Sequence, residues 1–302
     1  MGATWIRARA VAVDDATGTV TLADGRQLAA DVISLDVGAR AASDAIVGAE
    51  RLLGVRPFTA AQALAARLDA LAPHERVLVV GAGAAGVELA IAIAVRRRRQ
   101  GANGSVAIAD GTDEPLPSWP ATARRHARDA LRAHGIVLHT GRVLQAVEAT
   151  QVVFGDGTTL DAAAVVWAAG VAPQPLTLPG VAARSARGFP LVEASLRVVG
   201  TRALFGAGDG VDHAEHPHLE KSGVHAVRQA GTLTANLRVA CTGGGAFVPW
   251  RPRRRTLALL DAGDGTAILR YGGVALRARI AHALKRQLDE RYVAALVAAA
   301  AT

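Results

Sequence analysis

Val77-Leu78-Val79-Val80 runs without a polar break into Gly81-Ala82-Gly83-Ala84-Ala85-Gly86, and an apolar stretch continues from there to Arg99. The apolar run stopped by glycine reads as a buried strand over 76–81, and the alanine-rich segment beyond it as a helix over 84–99. Strand, tight turn and helix N-terminus in that order leave few folds open. Gly81 admits the turn, Gly83 lets a pyrophosphate approach the backbone, and Gly86 lets the helix pack close on the strand. The amide hydrogens of the turn and the positive end of the helix dipole then face the anion. A further strand over 105–110 ends in Asp110, at the separation of about 20 residues past the glycines where an acid meets the adenine ribose. Its carboxylate accepts ribose hydroxyls and repels a 2′-phosphate, which selects NADH and makes NADPH the poorer ligand. With 32 glycines in the chain, such a turn also arises as a ligand-free connection, and it is the strand and acid that follow which favour the cofactor reading.

A chain of 302 residues with 51% hydrophobic content is long enough for two domains with real cores. Cys241 is the single cysteine, which excludes an internal disulfide, a Cys-x-x-Cys pair and a thiolate zinc site, so redox chemistry has to come from a cofactor. The net charge of +8 comes from 34 basic and 26 acidic residues, and every basic residue except Lys221 and Lys285 is arginine. That bias is characteristic of a GC-rich coding sequence and weakens any inference from charge to partner. Aromatic residues make up only 4% of the chain, too few to interleave with basic residues as nucleic-acid binding requires. No apolar run of about 18 residues is free of charge, and residues 1–7 have no signal-peptide pattern, so the cytoplasm is the expected compartment. Ile6 stands where a myristoylation signal needs Ser or Thr.

In chain order, short strands over 6–13, 19–22 and 32–35 make a meander with turns at Asp14-Asp15 and Asp24-Gly25. An amphipathic helix over 59–71, N-capped by Thr59, leads to the glycine turn. After the strand at 105–110 come a proline-rich loop to Pro120, a helix over 121–134 and a strand over 136–139. A second meander, over 142–147 and 151–154 around Gly155-Asp156-Gly157, closes with 165–170 and Pro173. The two meanders resemble each other: each ends in an apolar strand stopped by glycine, at Gly38 and at Gly170. Such a repeat implies two related nucleotide-binding domains, of which only the second carries its glycine fingerprint.

Ala203-Leu204-Phe205-Gly206-Ala207-Gly208-Asp209-Gly210, followed by Lys221-Ser222-Gly223-Val224-His225-Ala226-Val227-Arg228-Gln229-Ala230-Gly231, resembles the C-terminal FAD motif of the pyridine nucleotide-disulfide oxidoreductases of type II NADH dehydrogenase kind. Lys221-Ser222-Gly223-Val224, Val248-Pro249-Trp250-Arg251-Pro252-Arg253-Arg254, and Gly263-Asp264-Gly265 leading to Tyr271-Gly272-Gly273-Val274-Ala275-Leu276 are similar to the branch found alone or fused to selenide, water dikinase. The resemblance implies an α/β fold with two Rossmann-like dinucleotide-binding domains, each βαβ with a β-meander, and a small C-terminal α+β region. Residues 1–58 are then part of the FAD domain, 59–172 the NAD(P)H domain, 173–245 the second part of the FAD domain and 246–302 the C-terminal region. Family members open with a strand and their own glycine fingerprint, whereas this chain begins at the meander. One βαβ unit of about 30 residues is therefore expected to be missing, through a late start or a truncation.

The implied reaction passes hydride from NADH to FAD and then to a further acceptor: quinone, oxygen, a selenium species or a protein. Gly81, Gly83, Gly86 and Asp110 are expected to bind NADH, and Gly170, Gly208, Asp209, Lys221 and Gly223 to line the FAD region, with Asp209 on a ribityl hydroxyl. Glu88 matches a family glutamate that orients the nicotinamide carboxamide, or else is a first-turn acid favoured by the helix dipole. Gly170 and Pro173 pass beside the cofactors or simply end a strand. His213, His216, His218 and His225, near Asp212, Glu215 and Glu220, read as solvated loop residues and not as a metal site. Cys241 reads as a small buried residue late in a helix. Arg96 to Arg99 suit a helix C-terminus. Arg251, Arg253, Arg254 and Arg255, with Arg277, Arg279, Lys285 and Arg286 assigned to the final helix, are a solvated face, a peripheral membrane contact on the inner face, or a dock for selenophosphate synthase. A homodimer is a further expectation. Two other readings remain open, a non-catalytic NAD-binding remnant and an accessory redox module of selenophosphate synthesis.

Overall fold

The computed structural model describes residues 2–300, with side chains described through Ala298. The chain forms two compact units, one from residues up to Arg40 with Val171–Arg253, the other from Ala41–Gly170 with the residues from Arg254 onward. These boundaries differ from those expected at 58 and 246. The segment after Ala41 belongs with the second unit because Leu52–Gly54 is a strand of its sheet. The C-terminal segment belongs there too, because Leu260 and Ile268, at 1% and 0% exposure, share one core with Ile91 and Leu131.

The first unit begins with an antiparallel meander of β1 (Ala10–Asp14), β2 (Thr19–Leu22) and β3 (Gln27–Ala29). The alternation that predicts a strand from residue 6 is realised only from Ala10, and Arg7–Arg9 are exposed. β4 (Ile33–Leu35) follows, and β5 (Ala39–Ala41) leads out of this unit.

The second unit then takes β6 (Leu52–Gly54), α1 (Phe58–Asp69), β7 (Val77–Val80), α2 (Ala84–Arg99), β8 (Val106–Ala109), α3 (Ala121–Ala133) and β9 (Val137–His139). Its parallel sheet has the order β6-β13-β7-β8-β9, where β13 is Ala164–Trp167. Between β9 and β13 lies the second meander, β10 (Leu144–Val147), β11 (Gln151–Phe154) and β12 (Thr159–Asp161). The alternation of β7 sets the layers: Val77 and Val79 face the helices, while Leu78 and Val80 face Leu144, Val152 and Phe154 of the meander. With both faces covered, β7, β8 and β13 are buried at every position, as an inner parallel strand requires. α1 starts after Pro57 with no side-chain cap, so Thr59 lies inside the helix and does not cap it. At the end of α2, Arg97 is 2% exposed, and its guanidinium donates to the carbonyls of Ala72 (2.9 Å) and Glu75 (3.1 Å) behind α1. One residue of the arginine run is thus a buried strut, while Arg96 pairs with Asp69 at the surface.

The chain re-enters the first unit through β14 (Val171–Pro173), β15 (Leu191–Val192), β16 (Leu204–Gly206), β17 (Asp212–His213) and α4 (Gly223–Thr242). β16 pairs in parallel with β4, and β15 with β17. Leu204, Phe205, Leu35 and Val192 form the core with Leu233 of α4 and Trp250. The last segment, in the second unit, is a three-stranded antiparallel sheet, β18 (Leu257–Asp261), β19 (Ala267–Tyr271) and β20 (Val274–Ala278), followed by α5 (Arg279–Ala300). Arg277 lies on β20 and not on the final helix, and bonds to Asp264 (2.6 Å) and Thr266 (2.8 Å) of the preceding turn.

Candidate functional site

The glycine turn of the second unit is built as its sequence requires. Gly81 has φ +111°, and a Cβ there would lie 2.7 Å from the Ala168 carbonyl. A Cβ on Gly86 would lie 1.8 Å from the Gly81 carbonyl oxygen, so α2 approaches β7 at a distance only glycine permits. Around Gly83 there is open space, and Gly83, Ala84 and Ala85 are exposed. No side chain caps α2, whose N-cap is Gly83, so its amide end faces outward beside the turn. An uncapped helix N-terminus beside such a glycine turn forms a cradle of the kind suited to an anion.

Asp110 ends β8 beside this cradle. Its Oδ2 accepts the Ala82 N–H at 2.6 Å, and its Oδ1 accepts the Thr112 N–H at 2.7 Å and the Thr112 hydroxyl at 2.5 Å. The carboxylate is therefore held against the middle of the glycine turn. Thr112 has no motif to announce it; the available signal was a hydroxyl two residues after a strand-end acid, the spacing of a local Asx turn.

Glu88 points away from the turn, toward the C-terminal sheet. Its Oε1 accepts the Asp261 N–H at 2.9 Å and pairs with Lys285 at 3.2 Å. Lys285 stays charged above its ordinary range: its burial lowers the pKa, but Glu88 and Asp289 outweigh that. A groove of about 790 Å³ opens beside Glu88, floored by Ile91 and Val95 and edged by Arg99, Asp261 and His282. Gly170 ends the run beyond β13, where its carbonyl accepts the Trp167 indole N–H at 3.1 Å and the Ala42 N–H at 3.0 Å.

The first unit brings its expected residues together around the turn Gly208–Gly210. Gly208 has φ +69°, and its N–H donates to Gln229 Oε1 at 2.6 Å. That bond orients the Gln229 amide, whose Nε2 donates to His213 Nε2 at 2.7 Å and so leaves the His213 proton on Nδ1. His213 also stacks on Trp250 with ring centroids 4.6 Å apart. It is 5% exposed and is not the solvated loop residue expected, because β17 carries it under α4. Burial first, then the nearby His216 and Lys221 charges, push its pKa down to about 4. Gln229, Leu233 and Asn236 are the buried residues of α4, and two polar side chains at that helical spacing are the sequence signal by which Gln229 was discoverable.

Lys221 is largely buried, pairs with Asp212 at 2.8 Å and lies 3.9 Å over the Phe189 ring. Its burial lowers its pKa, opposed by Asp212. Burial would raise the Asp212 carboxyl, but Lys221, Ser185 and Arg187 hold it below the usual carboxylate range. Asp209 and Gly223 stand nearby, Asp209 within the Gly208–Gly210 turn and Gly223 as the first residue of α4, which Ser222 N-caps toward His225 N–H. Cys241 is exposed on α4, which corrects the expectation of a buried thiol: the buried face of the helix is set by Gln229, Leu233 and Asn236, and Cys241 falls outside it.

A model of the family described as pyridine nucleotide-disulphide oxidoreductase matches residues 2–235. The chain belongs to that family. Within this oxidoreductase family, two NADH dehydrogenase-like proteins of Mycobacterium tuberculosis are each 31% identical over 220 residues, 69% of this chain and 55% of theirs. The chain spans about half the length of these curated relatives. Its fold is shared with NDH2 from Plasmodium falciparum, solved in complex with NADH (TM-score 0.80, 14% identity, 95% of this chain and 80% of that one). It is also shared with the sulfide:quinone oxidoreductase of Aquifex aeolicus (TM-score 0.76, 14% identity, 95% and 74%). At these identities the likeness establishes the α/β fold of FAD- and NAD(P)-binding oxidoreductases. Among the described residues no helix is long and apolar enough to cross a membrane.

Proposed function

We propose that this chain supplies the NADH-binding unit of a flavin-dependent NAD(P)H oxidoreductase, with NADH preferred. The observation that carries this reading is the Asp110 carboxylate bonded at 2.6 Å to the amide of Ala82, inside the glycine turn. In that place it accepts an adenine ribose hydroxyl, while the uncapped end of α2 faces the pyrophosphate. FAD, when bound, supplies the two-electron chemistry that accepts hydride. For FAD, this chain's residues fit in part: Gly208, Asp209 and the N-terminal end of α4 suit the ribityl and ring end, and the only Gly-x-Gly-x-x-Gly of the sequence is the one assigned to NADH. The Gln229 bond to Gly208 N–H holds that turn in place. The finer reading, the branch linked to selenide, water dikinase, is supported by the Lys221–Val224 and Val248–Arg254 motifs, since Lys221 and Trp250 both close around the same Asp212–His213 strand. Peripheral membrane contact is supported by α5, where Leu288, Tyr292 and Leu296 are exposed beside Arg286 and Arg291.

Calorimetric titration tests the nucleotide assignment directly. NADH is expected to bind more tightly than NADPH, and equal affinities would refute the role given to Asp110. Absorbance of the purified chain with added FAD tests the flavin assignment independently.

A further inference from the structure

The loop from Asp110 to Trp119 grips the middle residue of the glycine turn from both sides. Ala82 N–H donates to Asp110 Oδ2 at 2.6 Å, and Ala82 C=O accepts the Leu116 N–H at 2.8 Å. Leu116 is held at φ +55° while 1% exposed, a left-handed conformation that a branched side chain keeps only where the surroundings impose it. Glu114, in the same loop, is clasped by Arg124 at 2.5 Å and Arg128 at 2.8 Å on α3. The loop is thus a built part of the cradle.

Within it, one side chain sets the orientation of the acid. The Thr112 hydroxyl stands 2.5 Å from Asp110 Oδ1 and 3.0 Å from the Glu114 carbonyl oxygen. It has one proton to donate, and the nearer, charged acceptor takes it. An aspartate carboxylate otherwise turns easily about its last torsion. Three donors, the Ala82 N–H, the Thr112 N–H and the Thr112 hydroxyl, leave about one of the carboxylate's four acceptor positions for a ligand.

We infer that Thr112 is a positioning residue for nucleotide specificity: its hydroxyl locks the Asp110 carboxylate in the orientation that accepts a ribose hydroxyl and opposes a 2′-phosphate. The inference rests on the reading of the glycine turn as a dinucleotide site. Thr112 itself is exposed, so its replacement leaves the core untouched. Without its hydroxyl the carboxylate keeps the Ala82 and Thr112 N–H donors and loses the third, so it is held less tightly: a ribose hydroxyl meets a less fixed acceptor and a 2′-phosphate a charge better able to turn away.

The test uses the full chain as wild type, Thr112→Val and Thr112→Ser, titrated calorimetrically with ADP-ribose and with 2′-phospho-ADP-ribose. These probes carry the adenosine ribose without the nicotinamide and need no flavin. Thr112→Val is expected to weaken ADP-ribose about tenfold, the scale of one charge-assisted hydrogen bond, and to leave 2′-phospho-ADP-ribose unchanged or tighter. Thr112→Ser is expected to restore wild-type discrimination. A merely structural role would weaken both probes alike and would not single out the 2′ position. An ADP-ribose affinity within about twofold of wild type in Thr112→Val, or equal weakening of both probes, overturns the inference while the nucleotide reading stands. A wild-type chain that binds neither probe overturns the nucleotide reading, and the inference with it.

Discussion

The last two glycines of the turn give opposite responses to the same substitution. At Gly86 an added Cβ begins 1.8 Å from the Gly81 carbonyl oxygen, and real Cβ contacts do not fall below 3.0 Å, so α2 has to withdraw by more than an ångström from β7. That movement loosens Val87, Ala90 and Ile91, all at 0–1% exposure against the sheet. Overpacking of this kind costs about 3 kcal/mol at the upper end, and the helix propensity gained by alanine over glycine returns about 1 kcal/mol. Gly86→Ala is therefore expected to destabilise the second unit by about 2 kcal/mol. At Gly83 the new Cβ meets nothing within 4 Å, and the backbone is extended, so Gly83→Ala costs only about 0.5 kcal/mol as a poorer N-cap. With the pyrophosphate placed as proposed, that same Cβ enters its space, and NADH affinity is expected to fall by about tenfold or more, ~1.4 kcal/mol. Urea titration followed by far-UV circular dichroism measures the first quantity and calorimetry with NADH the second. A Gly86→Ala midpoint equal to wild type would refute the close-approach argument. Unchanged NADH affinity in Gly83→Ala would refute the placement of the phosphates.

His213 makes stability depend on pH. Its folded pKa of about 4 lies below the unfolded value of about 6.5, so the unfolded chain binds more protons between the two. Its contribution is therefore present in full above pH about 6.5 and is lost as pH falls toward about 4, a change on the order of 3 kcal/mol. Urea midpoints across that window are expected to decline, and His213→Phe, which keeps a ring against Trp250, is expected to flatten the decline; an unaltered slope would show that other groups cause it. Cys241, being exposed, is expected to titrate one equivalent of Ellman's reagent in the native protein, and a thiol that reacts only in denaturant would contradict its placement. The Glu88–Lys285 pair is partly exposed and is expected to show a coupling of about 0.5–1 kcal/mol in a double-mutant cycle with Glu88→Gln and Lys285→Met. Loss of NADH turnover without loss of stability in Glu88→Gln would instead return Glu88 to the nicotinamide.

Local chemistry made much of the second unit legible without a structure. The helix at Ala84–Arg99 and the strand at Gln151–Phe154 have the bounds their residues predict, because apolar period and glycine stops act within a few residues of where they stand. The glycine turn is equally local: the tight turn at Gly81 and the close approach at Gly86 are properties of strand, turn and helix in succession. What the sequence does not determine is which distant segments share a core. The join of Leu260 and Ile268 to Ile91 places the last segment in the second unit, and with it turns Glu88 toward Asp261 and Lys285. The burial of His213 is hidden for the same reason, since a polar run with a proline looks solvated until β17 is laid under α4 and Trp250 closes over the ring. Burial is a sum over neighbours far apart in the chain, and only the tertiary structure supplies that sum.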